Sequence, residues 1–278
     1  VDPIALRHSL SAALLLSFEY RKHSAFRCSI FEAEPYLTNS TFFLYHVFFS
    51  ASILIFEIYV RMKIGVTKDG QTSYYDYTPG TAASYAFVKG NGTYTLTLYR
   101  NISGTKYRKV TSTQAEVQMS NALTPYLVST VEITFSESDS VGITAAELCG
   151  ELMSDSEKAV AIHNFISTGF TYDHDFASQV SSGVIRSYTP QTSAILADGD
   201  GICYDFAALY AAMCRSQGIP CAIARGSLDG RSHAWNLVWL NEEWVALDLT
   251  RSVAYRTEAV SISECTITNV PGYVITGY

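Results

Sequence analysis

The chain has 278 residues, a formal net charge of -7 and a sequence pI near 5.4. This length accommodates one or two domains, and the acidic balance argues against a dedicated nucleic-acid-binding protein, which normally carries a basic patch. Six cysteines are too few and too scattered for a disulfide scaffold. None forms a C-x-x-C pair, so a structural zinc site is not expected, and the sequence indicates no other metal and no cofactor.

Residues 1–60 contain no glycine and differ in composition from the rest of the chain. Residues 42–60 form a mostly apolar run that is near the length of a membrane-spanning helix, although His46 and Glu57 would be costly in lipid. We expect residues 1–60 to be a leader or a membrane anchor of uncertain structure. A non-authentic segment, with Met62 as an internal start, is the third alternative.

Alternating polar and apolar residues predict strands throughout residues 61–140. Lys68-Asp69-Gly70 predicts a hairpin turn of the D-G type. The predicted strands are Lys63–Thr67, Ser73–Tyr77, Ser84–Val88, Tyr94–Tyr99, Lys106–Ser112, Ala115–Met119 and Val128–Phe135. Several short strands with regular turns indicate a small β-sandwich domain, for which a structural or spacer role is the plainest interpretation.

Helical signals begin in the third segment, residues 141–278. Thr144 with Glu147, and Ser154 with Glu157, both fit the capping-box pattern at a helix start. The second pattern opens a helix that is expected to end near Gly169. Helices that follow the strands in this way indicate an α+β fold.

One cysteine lies at the start of a predicted helix. The apolar stripe of this helix has the spacing i, i+3, i+4 and i+7, and consists of Phe206, Leu209, Tyr210 and Met213. Gly218 and Pro220 end the helix, so Cys203 is at its N-terminus. The helix dipole and the free N–H groups there favour a thiolate, and the Cys203 N–H is suited to donate to a developing oxyanion.

A second feature is the predicted hairpin formed by His233–Leu240 and Glu243–Leu249. If Asn241-Glu242 is a two-residue turn, Leu240 opposes Glu243 and the register of the pair is fixed. Four residues then share one face: His233, Trp235, Asp248 and Thr250. His233 and Asp248 become diagonal neighbours, and such a pair can orient an imidazole that takes a proton from a cysteine thiol.

The order of these motifs resembles the transglutaminase-like core domain. The matching residues are Gly201–Ala207, His233-Ala234-Trp235 and Trp244–Asp248. The resemblance covers about Leu152–Thr250, and Ile64–Phe135 also looks like the β-domain that precedes this core in secreted proteins of Gram-positive bacteria. It implies a papain-like α+β core, in which a nucleophile helix packs on an antiparallel sheet, and a catalytic triad of Cys203, His233 and Asp248.

Other residues are candidates for the substrate cleft. Tyr172 precedes the nucleophile where the family often has an aromatic residue, and Tyr204 and Trp235 adjoin the triad. Gln191 is a guess for a second oxyanion donor. His163 and His174 are expected at the surface. Cys214 and Cys221 are candidates for a disulfide only in an oxidising compartment.

The predicted function is cysteine-dependent acyl transfer or hydrolysis on protein or peptide amides through a thioester, outside the cytoplasm. The family includes transglutaminases, peptidases, amidases and members without activity. A peptidase or amidase is therefore one alternative to a cross-linking enzyme, and a non-catalytic envelope-binding protein with a relic core is another. The expected partner is a protein or peptide substrate and not nucleic acid. Membrane anchoring through residues 42–60 stays open.

Overall fold

The computed structural model describes residues 14–20, 26–32, 61–79, 81–150, 154–267 and 273–277, with the first two ranges and the last described as backbone only. Helices and mainly antiparallel sheets form an α+β fold, which confirms the predicted class. None of the helices in these ranges combines the length and the apolar character that crossing a bilayer requires. The apolar run 42–60 lies outside the described residues.

The chain forms 13 strands and 7 α-helices within these ranges. The strands are β1 (Leu14–Tyr20), β2 (Phe26–Glu32), β3 (Met62–Lys68), β4 (Gln71–Tyr77), β5 (Ala82–Tyr85), β6 (Gly92–Ser103), β7 (Lys106–Val117), β8 (Thr171–Tyr172), β9 (Asp200–Gly201), β10 (Cys221–Leu228), β11 (Arg231–Leu240), β12 (Glu243–Leu247) and β13 (Tyr273–Gly277). The helices are α1 (Ser140–Cys149), α2 (Asp155–Gly169), α3 (His174–Ser181), α4 (Thr192–Asp198), α5 (Cys203–Ser216), α6 (Leu249–Tyr255) and α7 (Ile262–Cys265).

The first part of the chain is a small β-domain. One antiparallel sheet has the order β4-β3-β6-β7, and β5 belongs to a second sheet of order β1-β2-β5. The predicted D-G turn joins β3 to β4, with positive φ angles of 50° at Asp69 and 76° at Gly70. Side chains from both sheets share one core, which includes Ile64, Tyr85, Phe87, Tyr94 and Leu96. The expected domain boundaries at residues 60 and 140 stay predictions.

Three strand predictions in this part are wrong. The strand expected at Ser84–Val88 lies earlier, as β5, and ends at Tyr85. β7 is continuous where the sequence predicted two strands. Residues 128–135 form an irregular connector instead of a strand. The Val131 N–H donates to the Ser84 carbonyl and its side chain packs on the β-domain core, whereas Ile133 is buried in the second core. The alternating pattern arises because the connector turns successive apolar residues toward two different cores.

Helix α5 is the centre of the second core. Every residue from Asp205 to Arg215 is buried, and many of them are alanines, whose small side chains allow close packing on all sides. The helix packs on β10 and β11 of a sheet of order β12-β11-β10-β13, and α1, α2 and α4 also contact it. A nucleophile helix on an antiparallel sheet is therefore confirmed.

The two capping predictions had different outcomes. The capping box that opens α2 is present, with Ser154 Oγ accepting the Glu157 N–H at 3.3 Å and Glu157 Oε2 accepting the Ser154 N–H at 2.8 Å. The other is wrong, because α1 begins earlier, after Asp139, whose carboxylate accepts the Gly142 N–H at 2.9 Å. Thr144 therefore lies inside a helix and is not a cap.

Candidate active site

Cys203 is the first residue of α5 and is half-buried. The Asp205 carboxylate fixes this helix start by accepting the Ile202 N–H at 2.9 Å. Gly201 permits this arrangement, since a Cβ at that position would lie 2.7 Å from the Asp205 Cβ. The nucleophile candidate is thus held by a rigid turn.

His233 on β11 and Asp248 after β12 are in direct contact. His233 Nε2 lies 2.8 Å from Asp248 Oδ2, and their side chains are 9% and 3% exposed. The predicted two-residue turn and register are confirmed from Leu240 opposite Glu243 onward. The predicted strand is too long, however. Asp248 lies one residue beyond β12, and Thr250 lies in α6, where its N–H donates to Asp248 Oδ1 at 3.1 Å.

The third side chain, Cys203, contacts the same imidazole. Burial lowers the pKa of His233, but hydrogen bonds to Asp248 and to Cys203, together with their negative charges, raise the pKa to about 9. The structure therefore brings the three predicted triad residues together, in the order thiol, imidazole, carboxylate.

Tyr172 on β8 also reaches the nucleophile. Its hydroxyl accepts a hydrogen bond from the Cys203 N–H. Burial and the nearby Cys203 raise the pKa of Tyr172 to about 12, so the hydroxyl keeps its proton at neutral pH. The backbone N–H that the sequence assigned to the oxyanion is therefore shared with a side-chain hydroxyl that has its own hydrogen to donate.

The remaining cleft candidates lie in different surroundings. Trp235 is 2% exposed and stacks on His233 with ring centroids 5.9 Å apart. Tyr204 turns toward the β-domain, where its hydroxyl donates to Glu132 and Arg225 lies over its ring. Gln191 is exposed at the start of α4, and its side-chain amide donates to the Thr189 carbonyl.

Of the two histidines predicted to be at the surface, one is exposed and the other is buried. His174 is exposed, beside Tyr172. His163 is only 1% exposed, which corrects the prediction, and its Nε2 lies 2.9 Å from Ser252 Oγ. Burial lowers the pKa of His163. No group of three or more metal-binding side chains occurs within the described residues.

A polar cavity of about 320 Å³ adjoins the nucleophile helix on the side of the β-domain. The Glu132 carboxylate in its wall accepts hydrogen bonds from Arg225 and Tyr204. The Tyr188 hydroxyl donates to the Asp205 carboxylate. The Tyr188 backbone N–H donates to the Asp76 carboxylate at 3.2 Å. Sequence reasoning missed this network, because its members come from distant segments and fit no motif.

A second cavity of about 450 Å³ is lined by residues beside the triad. Its walls include Phe170, Tyr172, Thr250, Val253 and Arg256. Tyr172 and Thr250 each contact a triad residue, Cys203 and Asp248 respectively. This cavity therefore adjoins the triad, whereas the first cavity includes Tyr204, the residue after Cys203.

Cys214 and Cys221, the candidate disulfide pair, are neighbouring free thiols in the core. Both are fully buried. Burial and a hydrogen bond with Cys221 raise the pKa of the Cys214 thiol.

Comparison with known proteins finds similarity in the part of the chain that carries these residues. Residues 143–249 match the model of the transglutaminase-like superfamily. No curated protein matches the chain. Among solved structures, a TGase is similar at 18% identity with a TM-score of 0.32, over 40% of this chain and 29% of its own length.

Two further solved structures share weak similarity. A provisionally named cysteine protease from Cytophaga hutchinsonii has 16% identity and a TM-score of 0.39, over 70% of this chain and 78% of its own. Red sea bream transglutaminase has 11% identity and a TM-score of 0.32, over 81% of this chain and 48% of its own. This chain thus spans less than a third of the TGase and about half of the sea bream enzyme. The family match thus covers residues 143–249, a segment that contains Cys203, His233 and Asp248.

Proposed function

We propose that this protein is a cysteine-dependent enzyme that acts on protein or peptide amides through a thioester, outside the cytoplasm. The observation that carries the proposal is the continuous contact from Cys203 through His233 to Asp248 in a partly buried site. The match to a superfamily of cysteine-dependent transferases and proteases supports it. The apolar run 42–60 supports the extracellular or envelope location.

The roles of the three residues follow from their contacts. Asp248 engages His233 Nε2, so the other ring nitrogen is left for the Cys203 proton. The thiolate attacks the amide carbonyl, and the protonated imidazole donates to the departing amine as the thioester forms. A pKa of about 9 keeps His233 protonated at neutral pH and ready for this donation. Asp248 orients the ring and stabilises its positive charge.

Tyr172 is the second oxyanion donor in this proposal, in place of Gln191. Its hydroxyl accepts from the Cys203 N–H, so the phenol lies beside the backbone donor at the start of α5. An oxyanion at that point receives one hydrogen bond from the backbone and one from the phenol. Gln191 is exposed and bonded to a nearby carbonyl, which gives it no comparable position.

Water or a second amine then resolves the thioester, which returns the thiol and releases an acid or a new amide. The 450 Å³ cavity, whose walls include Tyr172 and Thr250, provides room for a substrate group beside the triad. Hydrolysis and amine transfer share every step up to this point, and only the identity of the nucleophile separates a peptidase or amidase from a transglutaminase.

Alkylation with iodoacetamide near neutral pH tests the proposal. Wild-type Cys203 should react much faster than free cysteine, and the rate should fall by at least about tenfold in His233→Ala. Cys203→Ala should lose the label altogether, and Lys109→Ala, which changes an exposed cation of the β-domain, serves as the control. A Cys203 thiol no more reactive than free cysteine would contradict the enzyme assignment and favour a binding protein with an inactive core. A glutamine peptide with a fluorescent amine then separates transfer from hydrolysis.

A further inference from the structure

The β6–β7 hairpin is strongly basic in an acidic protein. Between Asp76 and Glu116 the sequence contains five Lys or Arg residues and no Asp or Glu, although the whole chain has a net charge of -7. Four of the five lie near the end of this hairpin and are exposed: Arg100, Lys106, Arg108 and Lys109. Positive charge is therefore concentrated at one end of the β-domain.

The pairing of the hairpin sets two of these charges against each other. Arg100 is directly opposite Arg108 in the antiparallel register, so both side chains leave the same face of the sheet. Like charges that face each other across a strand pair destabilise a sheet. The pair therefore adds nothing favourable to folding, and its two exposed guanidinium groups are available to an external anion.

Apolar side chains accompany the charges. Ile102 is 64% exposed and Val110 is 47% exposed. A soluble polyanion would contact only the basic side chains of this hairpin. A lipid bilayer presents phosphate groups to the basic side chains and hydrocarbon to the apolar ones. The combination therefore favours a lipid bilayer over a soluble polyanion.

The position of the hairpin points to the same partner. The apolar run 42–60 ends immediately before Arg61, and Arg61 contacts the end of the hairpin. Its carbonyl accepts the Asn101 N–H at 2.9 Å, and its guanidinium donates to the Gly104 carbonyl at 2.6 Å. The chain therefore enters the β-domain from its most apolar segment beside the basic end.

We propose that the β6–β7 hairpin is a docking surface for an anionic lipid bilayer. Arg100, Lys106, Arg108 and Lys109 bind the lipid phosphates, and Ile102 enters the interface between headgroups and chains. The acidic remainder of the protein is repelled by the same surface, which orients the hairpin toward it. This proposal does not depend on the enzymatic activity.

Vesicle sedimentation with the full chain tests the proposal. The measured quantity is the ratio of partition coefficients for phosphatidylcholine vesicles with and without phosphatidylglycerol, because any binding through apolar residues alone cancels in it. Arg100→Gln combined with Arg108→Gln should lower this ratio by about 20- to 30-fold, since each basic residue near the surface contributes about fivefold. Lys106→Gln with Lys109→Gln, at exposed positions, should have the same effect without altering the arginine pair.

The matched control is Arg231→Gln with Arg251→Gln, which makes the same change in net charge at exposed positions in the catalytic part. If this control lowers the ratio as much as the hairpin variants, or if wild type shows no preference for anionic vesicles, the proposal is wrong. A tryptophan at position 102, in Ile102→Trp, should shift its emission to the blue on anionic vesicles. Charge-dependent binding without that shift would indicate that the hairpin binds a polyanion, and the bilayer proposal would be wrong.

Discussion

Two antiparallel hairpins of this protein arrange their polar side chains in opposite ways. The β11–β12 hairpin holds His233 and Asn236 inside the fold, where Asp248 contacts the imidazole and the Ala207 carbonyl accepts from the Asn236 amide at 2.8 Å. The β6–β7 hairpin instead holds Arg100 opposite Arg108 in solvent. The first arrangement gives the imidazole and the Asn236 amide nitrogen partners inside the fold, although the Asn236 amide oxygen has none. The second leaves its charges available to another molecule.

The difference shows how similar strand pairs serve different purposes. In a site of low dielectric, complementary partners fix an imidazole in one orientation at a raised pKa. At the surface, like charges remain hydrated and cost the fold little, but they create a local field that an acidic protein otherwise lacks. Two kinds of substitution test this contrast. One removes the carboxylate partner of His233, and the other removes one of the two opposed arginines.

The largest expected effect comes from removing the carboxylate that holds His233. Asp248→Asn should lower kcat/KM for a peptide amide by about 10³- to 10⁴-fold, because an amide neither stabilises the imidazolium nor fixes the ring tautomer. Steady-state kinetics with purified protein measures this loss. Asp229→Asn, in the exposed turn before β11, is the control and should stay within twofold of wild type. Equal activities in both variants would remove Asp248 from the mechanism.

The next effect concerns the pH dependence of stability. The pKa of His233 is raised from its ordinary value to about 9 in the folded protein, so the stabilisation from its protonated form is complete below about pH 6.5. This contribution is lost as the pH rises through 9, and its upper bound is about 3 kcal/mol. The difference in the free energy of urea unfolding between wild type and His233→Gln should therefore shrink from pH 6 to pH 10. A difference that stays constant would mean that the imidazole is not charged at neutral pH.

Much of the β11–β12 hairpin was predictable because its determinants are local. Asn241-Glu242 between two apolar strands fixed the register, which placed His233 and Asp248 on one face. The end of the second strand was not predictable from alternation. Asp248 accepts the Thr250 N–H and starts α6, and an aspartate in this role fits a strand pattern and a helix cap equally well.

Features that depend on contacts between distant residues could not be predicted from the sequence. His163 is buried because Ser252, 89 positions away, lies against its ring. Glu132 joins Arg225 and Tyr204 across the boundary between the two cores, and the connector that carries it has the alternation of a strand. Tyr172 was a cleft candidate, but its contact with the Cys203 N–H required the parallel pairing of β8 with β9.

A smaller effect is expected from the hydroxyl beside the nucleophile. Tyr172→Phe should lower kcat about 10- to 100-fold, because the tetrahedral intermediate loses one donor while the triad stays intact. KM should change less than kcat, since the hydrogen bond is strongest in the transition state. Tyr255→Phe, at a tyrosine that is 76% exposed, controls for the loss of a phenol. A rise in rate for Tyr172→Phe would show that the hydroxyl blocks the Cys203 N–H.

The smallest effect tests the exposed hairpin. Arg100→Thr replaces one of the two opposed arginines with a residue that favours strands, so the unfolding free energy should increase by a few tenths of a kcal/mol. The same variant should bind anionic vesicles about fivefold more weakly.

Chemical denaturation at low salt measures the change in unfolding free energy, and the gain should diminish as salt screens the repulsion. Lys89→Thr, which removes a cation that does not face another across the pair, should show no salt-dependent gain. If Arg100→Thr is destabilising at every salt concentration, the two arginines do not repel each other, and the like-charge argument for an external anion loses its basis.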